Sequence, residues 1–284
     1  MKKFFTRILF ISFLFNFLLK GEELKALVPY YYLPTIKNLE KESLSIGKNA
    51  YQLLYFGQIK ESLNLAKLAV KINKLDEKLW LILSESQIAN KLYEEALISL
   101  KKAENINPNL SEIYFSKSNI FLKQLNLKDA KIALNSGLQI TPKNHKAIIQ
   151  LGNIFLMEKN YLSAIKFFDK AVKIKPEFWQ AINNKGLAYF EQDKINLSIE
   201  LFEKAISLEE NADPLLGLAS CLRLKDINSA ILLAKKALIK NPNYVEYDYR
   251  KEQLWGEKLQ ISTENLLKND QLEQDIRKAK LKIN

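Results

Sequence analysis

The sequence predicts an all-α fold, a right-handed superhelical solenoid of antiparallel helix pairs, on three observations. Pro108, Pro142 and Pro176 stand 34 residues apart, and the residues between them repeat in register. A period of this length marks one supersecondary unit copied along the chain. Between the prolines, apolar residues recur at helical spacing, two stretches per unit. Glycine and proline are scarce, 8 and 7 in 284 residues, and no alternating run bounded by turn clusters suggests a strand.

Taken in order, the chain opens with Lys2, Lys3 and Arg7 ahead of an apolar run from Ile8 to Leu19, then a polar stretch to Ala26. A basic start and a short greasy middle have the build of a secretory signal. The run is short for a membrane span, which needs about 20 residues. Residues 1–26 are therefore read as a signal peptide cleaved after Ala26 or as an uncleaved N-terminal anchor. Either way the remainder is expected to be exported or membrane-anchored, in a periplasm or at a thylakoid or cell membrane. Residues 27–42 form an extended lead-in that includes LVPYYYLP, where prolines flank three tyrosines. That strip either packs on the first helix pair or lies against a membrane or partner.

The best repeat, Lys146 to Phe178, is KAIIQLGNIFLMEKNYLSAIKFFDKAVKIKPEF. Gly152, Ala164 and Ala171 are small enough to let two helices approach, and Phe155, Tyr161 and Phe168 fill the seam. Shifting by 34 finds Ser118, Phe121, Ala130, Leu134, Gly137 and Pro142 upstream, and Leu83, Ala96, Leu100, Ala103 and Pro108 before them. Downstream, Gly186, Tyr189, Ser198, Phe202 and Ala205 continue, with Glu210 in the proline slot. A weaker first copy places Gly57 in the turn and Lys74 in the proline slot. In the last, ending at Pro242, Asp213 is expected to cap a helix and Pro214 to open it. The array spans 43–243.

Tyr244 to Lys268 reads as one longer helix covering the last repeat, and 269–284 as a charged, flexible tail.

This layout resembles the tetratricopeptide repeat family, whose helix-turn-helix units carry an aromatic, Leu-Gly, Tyr or Phe, Ala, Phe, Ala and Pro at these offsets. The likeness covers about six units. Gln87, Lys117 and Lys185 depart from it, standing where apolar residues are usual. A narrower similarity, carried by LVPYYYLP, the array and KEQLWGEKL at Lys251 to Leu259, is to cyanobacterial membrane-associated or exported repeat proteins of photosynthetic assembly or pigment synthesis.

The net charge of +11 comes from lysines scattered through every repeat, and arginine occurs only at Arg7, Arg223, Arg250 and Arg277. That pattern is a solvated surface, so no nucleic acid is expected. His145 and Cys221 are single residues of their kind, so neither a Cys/His metal cluster nor a Cys-His dyad with a supporting motif is available. No phosphate-cradling glycine loop occurs. Neither an enzyme nor a cofactor, metal or small-molecule substrate is expected.

Function then falls to the concave surface. The resemblance implies that the first helix of each unit lines a groove, presenting Glu112, Phe115 and Asn119, then Lys146, Ile149 and Asn153, then Gln180, Asn183 and Phe190. Asparagines there can bond a peptide backbone and apolar groups can hold side chains. The chaperone carboxylate clamp of this family needs lysine where the chain has Leu81, Phe115, Ile149 or Asn183, so that ligand is not expected. The expected role is a protein-binding scaffold or adaptor for assembly of a membrane complex. The alternatives are an accessory subunit of a membrane enzyme, such as one of pigment synthesis, and a structural protein of the cell envelope.

Overall fold

The computed structural model describes residues 35–283, which form fifteen α-helices and no strand. The segment 1–26 expected to direct export and the tyrosine strip at 27–34 lie outside the described residues. The lead-in expectation is corrected at its end, since residues 36–42 already belong to the first helix. Thr35 caps it by accepting the Asn38 N–H at 3.3 Å.

Twelve helices follow as six pairs. These are α1 (Ile36–Tyr55) with α2 (Ile59–Ile72), α3 (Glu77–Ala89) with α4 (Tyr93–Ile106), and α5 (Ser111–Lys123) with α6 (Leu127–Ile140). Then come α7 (His145–Met157) with α8 (Tyr161–Ile174), α9 (Trp179–Glu191) with α10 (Ile195–Leu208), and α11 (Ala212–Leu222) with α12 (Ile227–Lys240). Each helix packs on its partner and on the next pair.

The turn inside each of the first five pairs is the same device. Gly57, Lys91, Leu125, Lys159 and Asp193, each 34 residues from the last, have φ between 57° and 76°. The amide one residue later bonds back to a carbonyl five residues earlier, as from Gln58 to Leu53 and from Asn160 to Phe155. This closes the helix end in a Schellman motif, which demands a left-handed residue. Only the first of the five is glycine.

Packing follows the small-residue columns. Phe168, fully buried, presses its ring on Gly152 so closely that a Cβ there would collide with it. Phe115 does the same over Gly137, and Phe202 lies between Gly186 and Gly217. Burying the Phe168 and Phe202 rings contributes a few kcal/mol each, on the scale of about 3 to 5 for truncating a buried Phe.

The three departures from the repeat pattern are compensated by their neighbours. Gln87 is buried, and its Oε1 accepts from Ser99 Oγ at 2.7 Å. Lys117 pairs with Glu104 at 2.9 Å and Lys185 with Asp169 at 2.6 Å, each reaching to the preceding helix.

Beyond Pro242 the single long helix expected from Tyr244 to Lys268 is broken. A 3₁₀ turn (Pro242–Val245) leads to α13 (Tyr247–Glu252), then α14 (Glu257–Leu267), a second 3₁₀ turn (Asp270–Leu272), and α15 (Glu273–Ile283). The break falls at Leu254, with φ 68°, and Gly256. Its cause is what lies between, for Trp255 turns inward and is 4% exposed. Nor are 269–283 a loose tail, because Leu272 and Ala279 are buried and α15 packs on α12.

Arg250 holds this cap together. It has no exposed surface, and its guanidinium donates to Gln260 Oε1 at 2.8 Å, to the carbonyls of Tyr244 and Val245 at 2.7 and 3.0 Å, and to Glu264. Such saturation is what permits a buried charge.

Candidate functional site: the inner groove

The first helices of the pairs form a run of hollows along one face. At the N-terminal end, Tyr51, Tyr55 and Glu85 with Ser116 and Asn119 enclose about 350 Å³. Next to it, Glu85, Glu112, Phe115, Asn119 and Gln150 line about 300 Å³. Toward the C-terminus Ile149, Asn153, Gln180, Asn184 and Asp213 line about 530 Å³, closed at its far side by Tyr249 and Glu252 of α13.

Of the nine residues assigned to the groove, six line these hollows: Glu112, Phe115, Asn119, Ile149, Asn153 and Gln180. Lys146 instead lines a separate hollow of about 550 Å³ at the start of α7, with Thr141 and His145. Phe190 is 6% exposed and belongs to the core. Asn183 has no exposed surface, and its Nδ2 donates to Asp213 Oδ2 and to Asn184 Oδ1, both at 3.1 Å.

The missed column sits one residue later on each helix. Ser116, Gln150 and Asn184, again 34 apart, all face the hollows. Their signal was polarity beside a groove position, where a core-facing residue would be apolar. Asn184 Nδ2 donates to Asn153 Oδ1 at 2.8 Å, so a chain of amides joins α7, α9 and α11. Among the described residues, the side-chain amides of Gln180 and Gln253 and the Nδ2 groups of Asn153 and Asn211 have no protein partner.

Asp213 ends this chain of amides. It was expected to cap α11, but Asn211 does so, accepting the Asp213 N–H at 3.2 Å. Asp213 points inward, where Trp255 Nε1 donates to its Oδ1 at 2.7 Å and Asn183 to its Oδ2. Burial raises its carboxyl to about 6, against the pull of the donors Trp255, Tyr244 and Asn183.

The cap reaches the array through two more carboxylate contacts. Glu191 of α9 accepts the Lys258 and Leu259 N–H groups at 3.3 and 3.0 Å, capping α14 from another helix. Asp193 pairs with Lys258 Nζ.

The two lone chemical residues are structural. Cys221 is buried, with its thiol pushed up to about 12 by burial, and lies 3.7 Å from Ser198 Oγ. His145 stands edge-on to Phe178 at 4.9 Å, its pKa lowered first by burial and then by Lys175. Among the described residues, no group of acidic, His or Cys side chains is placed to hold a metal, and no helix is long and apolar enough to cross a membrane.

A stack of paired helices with a continuous inner face defines a helical repeat protein of the solenoid class. Residues 145–178 and 180–211 match the tetratricopeptide repeat family model, and the fold of the neighbouring pairs is similar to those two units. The fold is similar to a tetratricopeptide repeat protein from Parabacteroides merdae, with TM-score 0.60 and 17% identity over 84% of this chain and 99% of the other. It is also similar to MamA from Desulfovibrio magneticus, with TM-score 0.54 and 21% identity over 62% and 97% of the two chains. PilF of Pseudomonas aeruginosa matches with TM-score 0.52 and 17% identity over 72% and 97%. No curated protein matches the chain by sequence.

Proposed function

We propose that this chain is a non-enzymatic interaction scaffold that holds a segment of a protein partner along the inner groove. The observation that carries this is the C-terminal hollow of about 530 Å³, which is lined by the amides of Gln180 and Gln253 and by Asn153, whose Nδ2 group, like those two amides, has no partner among the described residues. Amide groups in fixed rows suit an extended backbone, which offers one donor and one acceptor per residue. Ile149, Trp179 and Leu254 beside them supply apolar contact for side chains.

The scaffold is proposed to work at a membrane, in the assembly of a complex there. The support is the basic and apolar N-terminal segment, whose fate is settled by mass spectrometry of the mature N-terminus. The photosynthetic setting suggested by the flanking strings is tested by a pigment phenotype on deletion.

Photo-crosslinking residues placed at Gln180 and Asn119 should trap the same partner from membranes, while one at Lys166 on α8 should not. Equal trapping from all three positions overturns the groove reading. A series of assembly intermediates among the products favours an adaptor; a single stoichiometric enzyme favours an accessory subunit.

A further inference from the structure

Four charged side chains line the three hollows, and all four are carboxylates: Glu85, Glu112, Asp213 and Glu252. The chain as a whole carries +11, so these three hollows are locally acidic on a basic molecule, with no lysine or arginine in their lining. Lys146 lines only the separate hollow at the start of α7. Some carboxylates elsewhere are matched, as Glu104, Glu158 and Asp169 each hold a lysine, and others stand alone on the outer surface. Among the described residues Glu85, Glu112 and Glu252 enter no ion pair.

The N-terminal half adds a second feature. Glu85 belongs to both adjoining hollows, and its carboxyl is held above the usual range by burial and by the charge of Glu112. Around it stand the rings of Tyr51, Tyr55 and Phe115, with Tyr55 81% exposed. Aromatic faces and carboxylates are the two kinds of group that hold an ammonium or guanidinium.

We propose that the groove's occupant is an extended segment of a partner protein bearing lysine or arginine, with one cationic side chain seated between the Tyr51 and Tyr55 rings and the Glu85 and Glu112 carboxylates. This rests on the groove reading above. A neutral or acidic segment would leave Glu85 and Glu112 facing each other uncompensated. A basic one relieves that repulsion, and Glu252 at the closed end receives a second cation along the same strand. The favourable field also speeds encounter, so binding should weaken as salt rises.

The test is selection from a random-peptide display library on the full chain, followed by fluorescence anisotropy of the recovered peptides. Three variants are compared: Glu85→Gln with Glu112→Gln, Tyr55→Ala, and Asn153→Leu with Gln180→Leu. Circular dichroism melting confirms that each remains folded. The expected result is recovery of Lys- or Arg-bearing sequences, whose affinity falls about tenfold in the double Gln variant and several-fold in Tyr55→Ala. Neutral or acidic sequences that lose binding only in Asn153→Leu/Gln180→Leu would overturn the basic ligand and leave the groove reading standing. Recovery of no sequence, or of sequences indifferent to all three variants, overturns both. Peptides matching this chain's own sequence would make the occupant a second copy, and that too overturns the proposal.

Discussion

The indole N–H of Trp255 donates to Asp213 Oδ1 at 2.7 Å across 42 residues of chain, and both side chains are buried. This bond ties the C-terminal cap to the last repeat and fixes the end wall of the groove. It also holds a nearly buried carboxylate at the edge of the hollow.

Trp255→Phe deletes that donor while keeping an aromatic, though smaller, ring in the core. A buried acceptor short of one partner costs about 1 to 3 kcal/mol, so urea unfolding should show a loss in that range. A loss below about 0.5 kcal/mol would mean that Asp213 is satisfied by its remaining donors.

The carboxyl of Asp213 also sets a pH dependence. Its value rises from 3.8 in the unfolded chain to about 6 in the folded one, so the folded state holds the proton more tightly. Stability should be greatest below about 4 with respect to this group, fall through the interval to about 6, and level off above, a change on the order of 3 kcal/mol. Asp213→Asn should flatten that segment of the stability profile relative to the parent. An unchanged slope would assign the dependence to other groups.

A third prediction concerns the inter-helix turns. Leu125 has φ 57° and is 76% exposed, so it carries left-handed strain with little packing in return. Leu125→Gly should stabilise the chain by about 1 kcal/mol, against the usual sign for glycine. Thermal melting checks it, and a destabilised variant would contradict the backbone geometry.

Much of this architecture was legible in the sequence, and the reason is local. The proline slots, the Gly152 and Phe168 pairing and the small-residue columns recur at one period, and each is settled by contacts inside a unit or with the next. What was not legible depends on contacts between distant segments. Asp213 looks like a helix cap until Trp255 claims it, and Tyr244 to Lys268 looks continuous until that same indole turns inward. Asn183 has the right offset for the groove, yet its bond to Asp213 draws it into the interior and leaves the position to Asn184. Groove membership can slip by one residue because neighbouring positions on a helix lie only about 100° apart.

Glu191 and Gly256 make a fourth case. A Cβ on Gly256 would strike the Glu191 carboxyl that caps α14. Gly256→Ala should therefore loosen the cap without unfolding the array, and hydrogen exchange should rise in α14 and α15 well before α5 to α8. Uniform protection across the chain would show that the side chain is accommodated.

The cap's polar bonds reach back 42 to 68 residues, to Asp213, Ser220 and Glu191, whereas the N-terminal pairs are joined chiefly to their neighbours. One continuous core runs from Ile148 to Ala279, while the earlier pairs hold three smaller ones. Pulled from its ends, such a molecule should peel pair by pair from the N-terminal side at low force. The last stretch should then give way in one larger step. The half of the groove built on amides thus keeps its shape under tension, and the half built on tyrosine and glutamate is the one that yields.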